Sequence, residues 1–180
     1  MKLDILAIGA HPDDVELGCA GTLAKEIHQG KSVGILDLTR GELGTRGSAE
    51  VRDKESAAAA KILNIKVREN LSFSDGFFIN DKHHQIEIIK IIRKYRPDVV
   101  FCNAVDDRHI DHPKASQLVS SSCFLSGLTK INTKLDGSNV FQEEWRPNFI
   151  YHYLQWKNIS PDVCVDISDF MPIKLKAVMA

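Results

Sequence analysis

The amino-acid sequence predicts an α/β protein in which helices cover both faces of a mostly parallel sheet. Short apolar runs alternate with segments of helical periodicity from the first residues onward. Single helices between the strands imply parallel pairing with right-handed crossovers, which gives a doubly wound, Rossmann-like sheet. The length of 180 residues, 43 % of them apolar, fits one domain, so we expect a single domain over residues 1–180.

The first strand–helix unit begins with a short apolar strand at Leu3–Ala10. A helix follows over Asp14–Gln29, because apolar residues recur there at helical spacing, and Gly30 is a typical residue to end it. The second strand is predicted at Ser32–Thr39. A glycine-rich loop, Arg40–Ser48, leads from it to the next helix.

Further units of the same kind follow along the chain. A stripe of isoleucines predicts one long helix, and Pro97 ends it. The predicted elements, in order, are a helix at Ala49–Leu63, a strand at Lys66–Ser72, a turn at Asp75–Gly76, a helix at Lys82–Tyr95, a strand at Asp98–Asn103, a helix at Pro113–Ser126, strands at Asn148–Leu154 and Val163–Ile167, and a helix from Phe170.

The composition excludes several classes of partner. Lys and Arg number 23 against 24 Asp and Glu, so there is no net basic field to hold nucleic acid. No stretch approaches the roughly 18 consecutive apolar residues of a membrane-spanning helix. The four cysteines are scattered singly, as expected for free thiols in a reducing compartment. We therefore expect a cytoplasmic protein without nucleic-acid or membrane partners.

Two polar clusters follow the first and the fourth predicted strands, AHPDDVE at 10–16 and DDRHIDHP at 106–113. In doubly wound sheets, ligands bind beyond the carboxyl ends of such strands. His11, Asp14 and His112 can form a set of two histidines and one carboxylate, which is typical of a catalytic zinc site with one open position. Asp13 could then accept a proton from water.

Each cluster also has a purely structural interpretation. Asp13 and Glu16 are spaced as in a capping box at the start of a helix. The segment from His109 to His112 could be a solvated loop. Capping explains neither His11 nor a second histidine cluster on the opposing loop, and the two clusters together therefore favour a metal site.

The segments AHPDDVELGCAGTLA and RHIDHPKAS resemble the two signature motifs of the LmbE-like or PIG-L family of zinc-dependent N-acetylglucosamine deacetylases. TRGELGTRG and RDKESAAAAKIL lie between them, and the similarity runs from Lys2 to the last residues. Within the family, the sequence is most similar to the bacillithiol-biosynthesis deacetylases, which act on N-acetylglucosaminyl malate. The resemblance implies that His11, Asp14 and His112 bind zinc and that Asp13 is the general base.

Further roles are implied by the same resemblance. His109, oriented by Asp111, would stabilise the oxyanion and protonate the leaving amine, and the adjacent carboxylate is expected to raise the pKa of His109. Arg52 and Asp75 would hold the substrate. Arg52 suits a carboxylate such as malate, although a helix-surface salt bridge with Glu55 is an alternative.

One position departs from the related mycothiol-pathway deacetylases, which place a tyrosine two residues before the first histidine of the second motif. This chain has Asp107 there. Help for the oxyanion must therefore come from His109, from the metal or from another residue. Iron is an alternative to zinc, because histidine and carboxylate ligands accept both.

The sequence thus predicts a metal-dependent enzyme that deacetylates a small acetylated amino-sugar conjugate. The resemblance also implies a homo-oligomer, with a hexamer as the family tendency. The alternatives are a metal-dependent hydrolase of another amide or ester bond and a nucleotide-binding α/β domain without hydrolysis. The last helical segment reaches Ala180 without a capping residue, so we expect that a carboxy-terminal portion is missing.

Overall fold

The computed structural model describes residues 1–45, 47–135 and 137–180. Arg46 of the glycine-rich loop and Asp136 lie outside the described residues. The strands are β1 (Ile5–Gly9), β2 (Val33–Thr39), β3 (Val67–Phe73), β4 (Val99–Cys102) and β5 (Phe149–His152). The helices are α1 (Asp14–Gly18), α2 (Ala20–His28), α3 (Ala49–Leu63), α4 (Lys82–Tyr95), α5 (Asp111–Ser126) and α6 (Met171–Val178), with a 3₁₀ turn at Ser168–Phe170 before α6.

The five strands form one sheet in the order β3-β2-β1-β4-β5, and every pair is parallel. The chain builds outward from β1 to β3 and then returns to place β4 on the other side of β1. The predicted doubly wound α/β fold is therefore confirmed. The reversal creates a crevice beyond the carboxyl ends of β1 and β4, where such folds bind ligands.

The central strands are buried on both faces, which explains their nearly continuous apolar sequences. Leu6 and Ile8 of β1 pack in the core that α4 and α5 cover. Ile5 and Ala7 point the other way, into a second core that includes Val15 of α1 and residues of α2. Each fully buried large aliphatic side chain contributes about 1.5–3 kcal/mol, so β1 is a rigid base for the loop that follows it.

The predicted helix Asp14–Gln29 is instead two helices, α1 and α2, which meet at Cys19, where the backbone leaves helical geometry (φ −136°, ψ 5°). Gly18 lies directly against the ring of Tyr153, and a β-carbon there would stand 2.4 Å from Cδ2 of that ring. The close packing of the short α1 against Tyr153, the residue after β5, thus depends on glycine at this position. The periodicity of the sequence did not reveal the break.

The predicted strand at Val163–Ile167 is wrong: in the described structure this segment forms no strand. It runs along α2 instead, where Ile167 packs on Gly21 and the Lys25 Nζ donates to the Asp166 carbonyl at 3.0 Å. Apolar alternation predicts a strand with one buried face, but Val163 and Val165 are exposed here and only Ile167 packs against α2.

Helix α5 begins at Asp111, two residues before the predicted start at Pro113. Pro113 fits the first turn because its missing N–H would have no partner inside the helix there. Among the described residues, no helix is both long enough and apolar enough to span a bilayer.

Candidate active site

A cleft of about 710 Å³ opens at the carboxyl ends of β1 and β4. The β1–α1 loop, the loop after β4, the glycine-rich loop and the segment after β5 form its walls. All the site residues predicted from the sequence line this cleft: His11, Asp13, Asp14, Arg52, Asp75, His109, Asp111 and His112. The strand order explains why residues separated by about a hundred positions meet there.

The Asp14 carboxylate lies between the two predicted histidine ligands. Its Oδ2 is 3.5 Å from the His11 Nδ1, and its Oδ1 is 3.1 Å from the His112 Nε2. The Oδ2 atom also accepts the His11 backbone N–H at 2.9 Å, which fixes the turn between β1 and α1. All three residues are buried: the exposed fraction is 7 % for His11, 4 % for Asp14 and 9 % for His112.

Two groups among the described residues have possible ligand atoms that all lie within 4.8 Å of one another, and neither of them includes Asp14. One group is His11, His109 and His112, and the other is His11, Asp75 and Asp111. Both share His11, so this residue is the centre of the donor set. Imidazole and carboxylate donors of this kind suit zinc and iron.

The electrostatics of the three residues favour positive charge at the point where they meet. Burial alone would lower the pKa of His11, but the hydrogen bond and charge of Asp14, helped by Asp75 and Asp111, raise it to about 9. Asp14 also raises the pKa of His112. Both imidazoles hold the pKa of Asp14 well below its usual range. A divalent cation supplies the same kind of charge as these protons, so the residues fit a metal.

Asp13 stands beside this group on the wall of the cleft, with its side chain half exposed. Partial desolvation and the negative charge of Asp14 raise its pKa. The nearest cation is the Arg52 guanidinium, whose Nη1 is 3.9 Å from the Asp13 Oδ2. Arg52 therefore faces the cleft, where it packs against Gly41 and Gly44, as the substrate-binding interpretation requires.

His109 differs from expectation in its electrostatics. Desolvation and the neighbouring charges of His11 and His112 outweigh Asp111, and the pKa of His109 is lowered rather than raised. Its Nδ1 accepts the backbone N–H of Asp111 at 3.3 Å, so the neutral ring carries its proton on Nε2. The Asp111 carboxylate itself binds Lys114 and the Gly76 N–H. The contact that orients His109 therefore comes from the Asp111 backbone.

Asp75 links the centre of the site to the glycine-rich loop. Its Oδ1 is 3.0 Å from the His11 Nε2, and its Oδ2 accepts the Leu43 N–H at 2.9 Å. The Asp75 N–H in turn donates to the Glu42 carboxylate at 2.9 Å. A carboxylate on the second nitrogen of a ligating histidine fixes the tautomer and orientation of its ring, so Asp75 is placed to support His11.

Sequence reasoning missed Asn103 and Gln155. Asn103 is fully buried directly after β4, and its Nδ2 donates to the Asp14 Oδ2 at 3.0 Å while its Oδ1 accepts the Ala10 N–H at 2.9 Å. Gln155 follows β5 and donates to the Asp14 Oδ1 at 3.0 Å. The rule that located the two histidine clusters, polar residues just beyond buried parallel strands, could have found Asn103 but not Gln155, because β5 is an edge strand with no buried residue.

The profile of a protein family described as PIG-L, GlcNAc-PI de-N-acetylase, matches residues 6–123. This range is more than half of the chain and contains both histidine clusters. The chain belongs to the PIG-L family. Its α/β fold is the fold of solved deacetylases of this family.

Three similar proteins extend the comparison along nearly the whole chain. Diacetylchitobiose deacetylase of Thermococcus kodakarensis is 31 % identical over 189 residues, which cover 97 % of this chain and 67 % of that protein. The crystal structure of the conserved protein TT1542 from Thermus thermophilus has a TM-score of 0.89 and 41 % identity over 98 % of this chain and 77 % of that one. The structure of N,N′-diacetylchitobiose deacetylase from Pyrococcus horikoshii, solved with its inhibitor, has a TM-score of 0.82 and 30 % identity. The match covers 97 % of this chain and 67 % of that one.

The enzyme class follows from this membership. The chain is an N-deacetylase of the PIG-L family, a hydrolase that acts on an amide C–N bond. Deacetylases of this family depend on a metal, and the histidine and carboxylate cluster around His11 is the candidate site for it.

Proposed function

We propose that this enzyme removes the acetyl group from the N-acetylglucosamine unit of a small conjugate. N-acetylglucosaminyl malate, the intermediate of bacillithiol biosynthesis, is the candidate substrate that the sequence resemblance favours. The observation that carries the proposal is the meeting of His11, Asp14 and His112 in one cleft, with Asp13 and His109 on its walls. The relatives named for diacetylchitobiose support an acetylated glucosamine unit as the part that is recognised.

We assign metal binding to His11, Asp14 and His112, with zinc as the metal and iron as the alternative. Asp14 contacts both imidazoles in the structure, and Asp75 lies on the opposite nitrogen of His11. A divalent cation held there would polarise the acetamide carbonyl and make a water molecule more acidic. The carboxylates around the site offset the charge of such an ion.

Asp13 is the proposed general base. It is the carboxylate beside the proposed ligands that remains half exposed to the cleft, so an attacking water can reach it. Its raised pKa brings it closer to neutral pH, where a carboxylate is a more effective base while still ionised. Arg52, 3.9 Å away, keeps the ionised form accessible and can also bind a carboxylate of the substrate.

His109 is proposed to act on the carbonyl oxygen and the leaving amine. With Nδ1 accepting from the Asp111 backbone, its Nε2–H is free to donate a hydrogen bond. A histidine with a lowered pKa can serve as a neutral electrophile, and its protonated form is a stronger acid toward the amine. The proposed substrate contact of Asp75 uses the lone pairs that remain after its bonds to His11 and Leu43.

The central experiment compares substrates and one variant. Release of free amine is measured with N-acetylglucosaminyl malate, diacetylchitobiose, N-acetylglucosamine and a panel of phosphate esters. We expect turnover of the acetylated amino sugars and highest kcat/KM for the malate conjugate. Asp13→Ala should lose turnover by a factor of about 10²–10⁴ while it keeps its metal. Hydrolysis of phosphate esters alone would contradict the proposal.

A second variant tests the ligand assignment, because His109 lies within reach of the same centre. His109→Ala should bind one metal ion with near wild-type affinity and lose turnover. Loss of the metal would instead make His109 a ligand and remove it from the acid role. We also propose a cytoplasmic homo-oligomer, with a hexamer as the family tendency, which light scattering on the purified protein can test.

A further inference from the structure

The side-chain amide of Gln155 is fixed in one orientation at the inner wall of the cleft. Its Oε1 accepts the Ala104 backbone N–H at 3.2 Å and the Asn103 Nδ2 at 3.1 Å. Both partners are donors, so a reversed amide would place its NH₂ group against two N–H groups. The NH₂ group of Gln155 therefore faces the metal-binding residues, and nothing has to move to bring it there.

The position of this NH₂ group matters because it borders the point where the proposed ligands meet. The Nε2 donates to the Asp14 Oδ1 at 3.0 Å and lies 3.4 Å from the His112 Nε2. A primary amide carries two N–H groups, so one serves Asp14 and the second is directed toward His112. Once His112 binds a metal, its lone pair is occupied, and the second N–H of Gln155 needs another acceptor.

The residue at the tyrosine position of the mycothiol-pathway enzymes cannot supply a donor in this chain. That residue is Asp107, and both of its oxygens already accept hydrogen bonds, from the backbone N–H of His109 at 2.7 Å and of Trp156 at 3.0 Å. The Asp107 Oδ1 also lies 3.1 Å from the His112 Nδ1, and an ionised carboxylate has no proton to donate. A donor in addition to His109 must therefore come from elsewhere in the cleft.

We propose that Gln155 is a further catalytic residue, whose second amide N–H donates to the acetamide oxygen as that oxygen gains negative charge. This inference rests on the proposed deacetylase function. Gln155 and the Nε2–H of His109 would then be two donors for one developing oxyanion. A donor that is held in place before the substrate arrives contributes most to catalysis, because no reorganisation accompanies the reaction.

The test uses Gln155→Ala and Gln155→Met in the full-length, metal-loaded enzyme. Methionine keeps the length of the side chain and removes the donor. Loss of one oxyanion donor typically lowers kcat by a factor of about 10²–10³, and we expect a fall in that range with little change in KM. Gln29→Met is the matched control, because Gln29 is exposed after α2, at the opposite end of the sheet from the cleft.

Two further measurements separate catalysis from support of Asp14. Metal affinity, determined by competition with a chromophoric chelator, should change far less than kcat. A tetrahedral phosphonamidate analogue of the acetamide should bind the variants more weakly, whereas the product amine should bind them as it binds the wild type. Wild-type kcat in the variants, or a deficit that saturating metal restores, would overturn the assignment. A wild-type enzyme that deacetylates no amino sugar would instead contradict the proposed function itself.

Discussion

Replacement of Asn103 by alanine should weaken both the fold and the metal site. Asn103 is fully buried, and its Oδ1 is the acceptor for the Ala10 N–H at 2.9 Å. A buried N–H left without its partner costs about 1–3 kcal/mol, and loss of the bond to the charged Asp14 costs about 1.5–3 kcal/mol more. The two add to a loss of roughly 2.5–6 kcal/mol in the free energy of unfolding. Support of a metal ligand is also lost, which typically lowers metal affinity by about 10–100-fold.

Urea unfolding of the metal-free protein measures the first effect, and chelator competition measures the second. Asn148→Ala is the control, because Asn148 is exposed before β5, at the other end of the sheet. Surface changes of this kind usually stay within about 0.5 kcal/mol of the wild type. An Asn103→Ala protein with wild-type stability and wild-type metal affinity would refute the role assigned to this hydrogen-bond network.

Three other outcomes are expected. Arg68→Met should lower the free energy of unfolding by about 3–5 kcal/mol, because it leaves the buried carboxylates of Glu16 and Asp37 without their cation. Burial raises the pKa of Asp37 from 3.8 to about 6 even beside Arg68, which favours its ionised form, so ionising this carboxyl lowers the stability of the folded state, and more so without Arg68. The difference in free energy of unfolding between the variant and the wild type, measured in urea, should therefore grow as pH rises through 6. A difference independent of pH would contradict this reasoning. Gly18→Ala should cost about 1–3 kcal/mol by overpacking against Tyr153, measured by thermal unfolding, and a neutral effect would show that the ring can move. Removal of a metal present at 100 times its Kd should lower the melting temperature by roughly 5–10 °C, and an unchanged value would argue against binding to the folded state.

The fold was predictable because strands that are buried on both faces of the sheet have nearly continuous apolar sequences. β1 and β2 are fully buried and mostly apolar, and α3 and α4 have the predicted bounds. The errors arose where packing between distant segments decides the local structure. Contact between Gly18 and the Tyr153 ring accompanies the break between α1 and α2, and α2 rather than a strand covers Ile167. Neither contact leaves a periodic signal.

The sequence predicted which residues line the cleft but not how they contact one another, and their roles stay predictions. All eight predicted residues line one cleft, since the strand order brings two recognisable motifs to the same edge. The sequence could not show that three imidazoles lie close together, so the direction of the pKa shift of His109 was missed. Asn103 and Gln155 belong to a hydrogen-bond network around Asp14 whose members lie far apart in the chain, so no local pattern marks them.

Metal stoichiometry measured together with turnover tests the central claim most directly. Metal-free wild type, His112→Ala and Asp13→Ala are each titrated with zinc, and bound metal and amine release from an N-acetylglucosamine conjugate are followed in the same samples. We expect one tightly bound ion per wild-type chain and amine release that rises with occupancy. His112→Ala should bind the metal weakly, and Asp13→Ala should bind it fully without turnover. Full amine release by the metal-free wild-type enzyme, or wild-type metal affinity in His112→Ala, would contradict it.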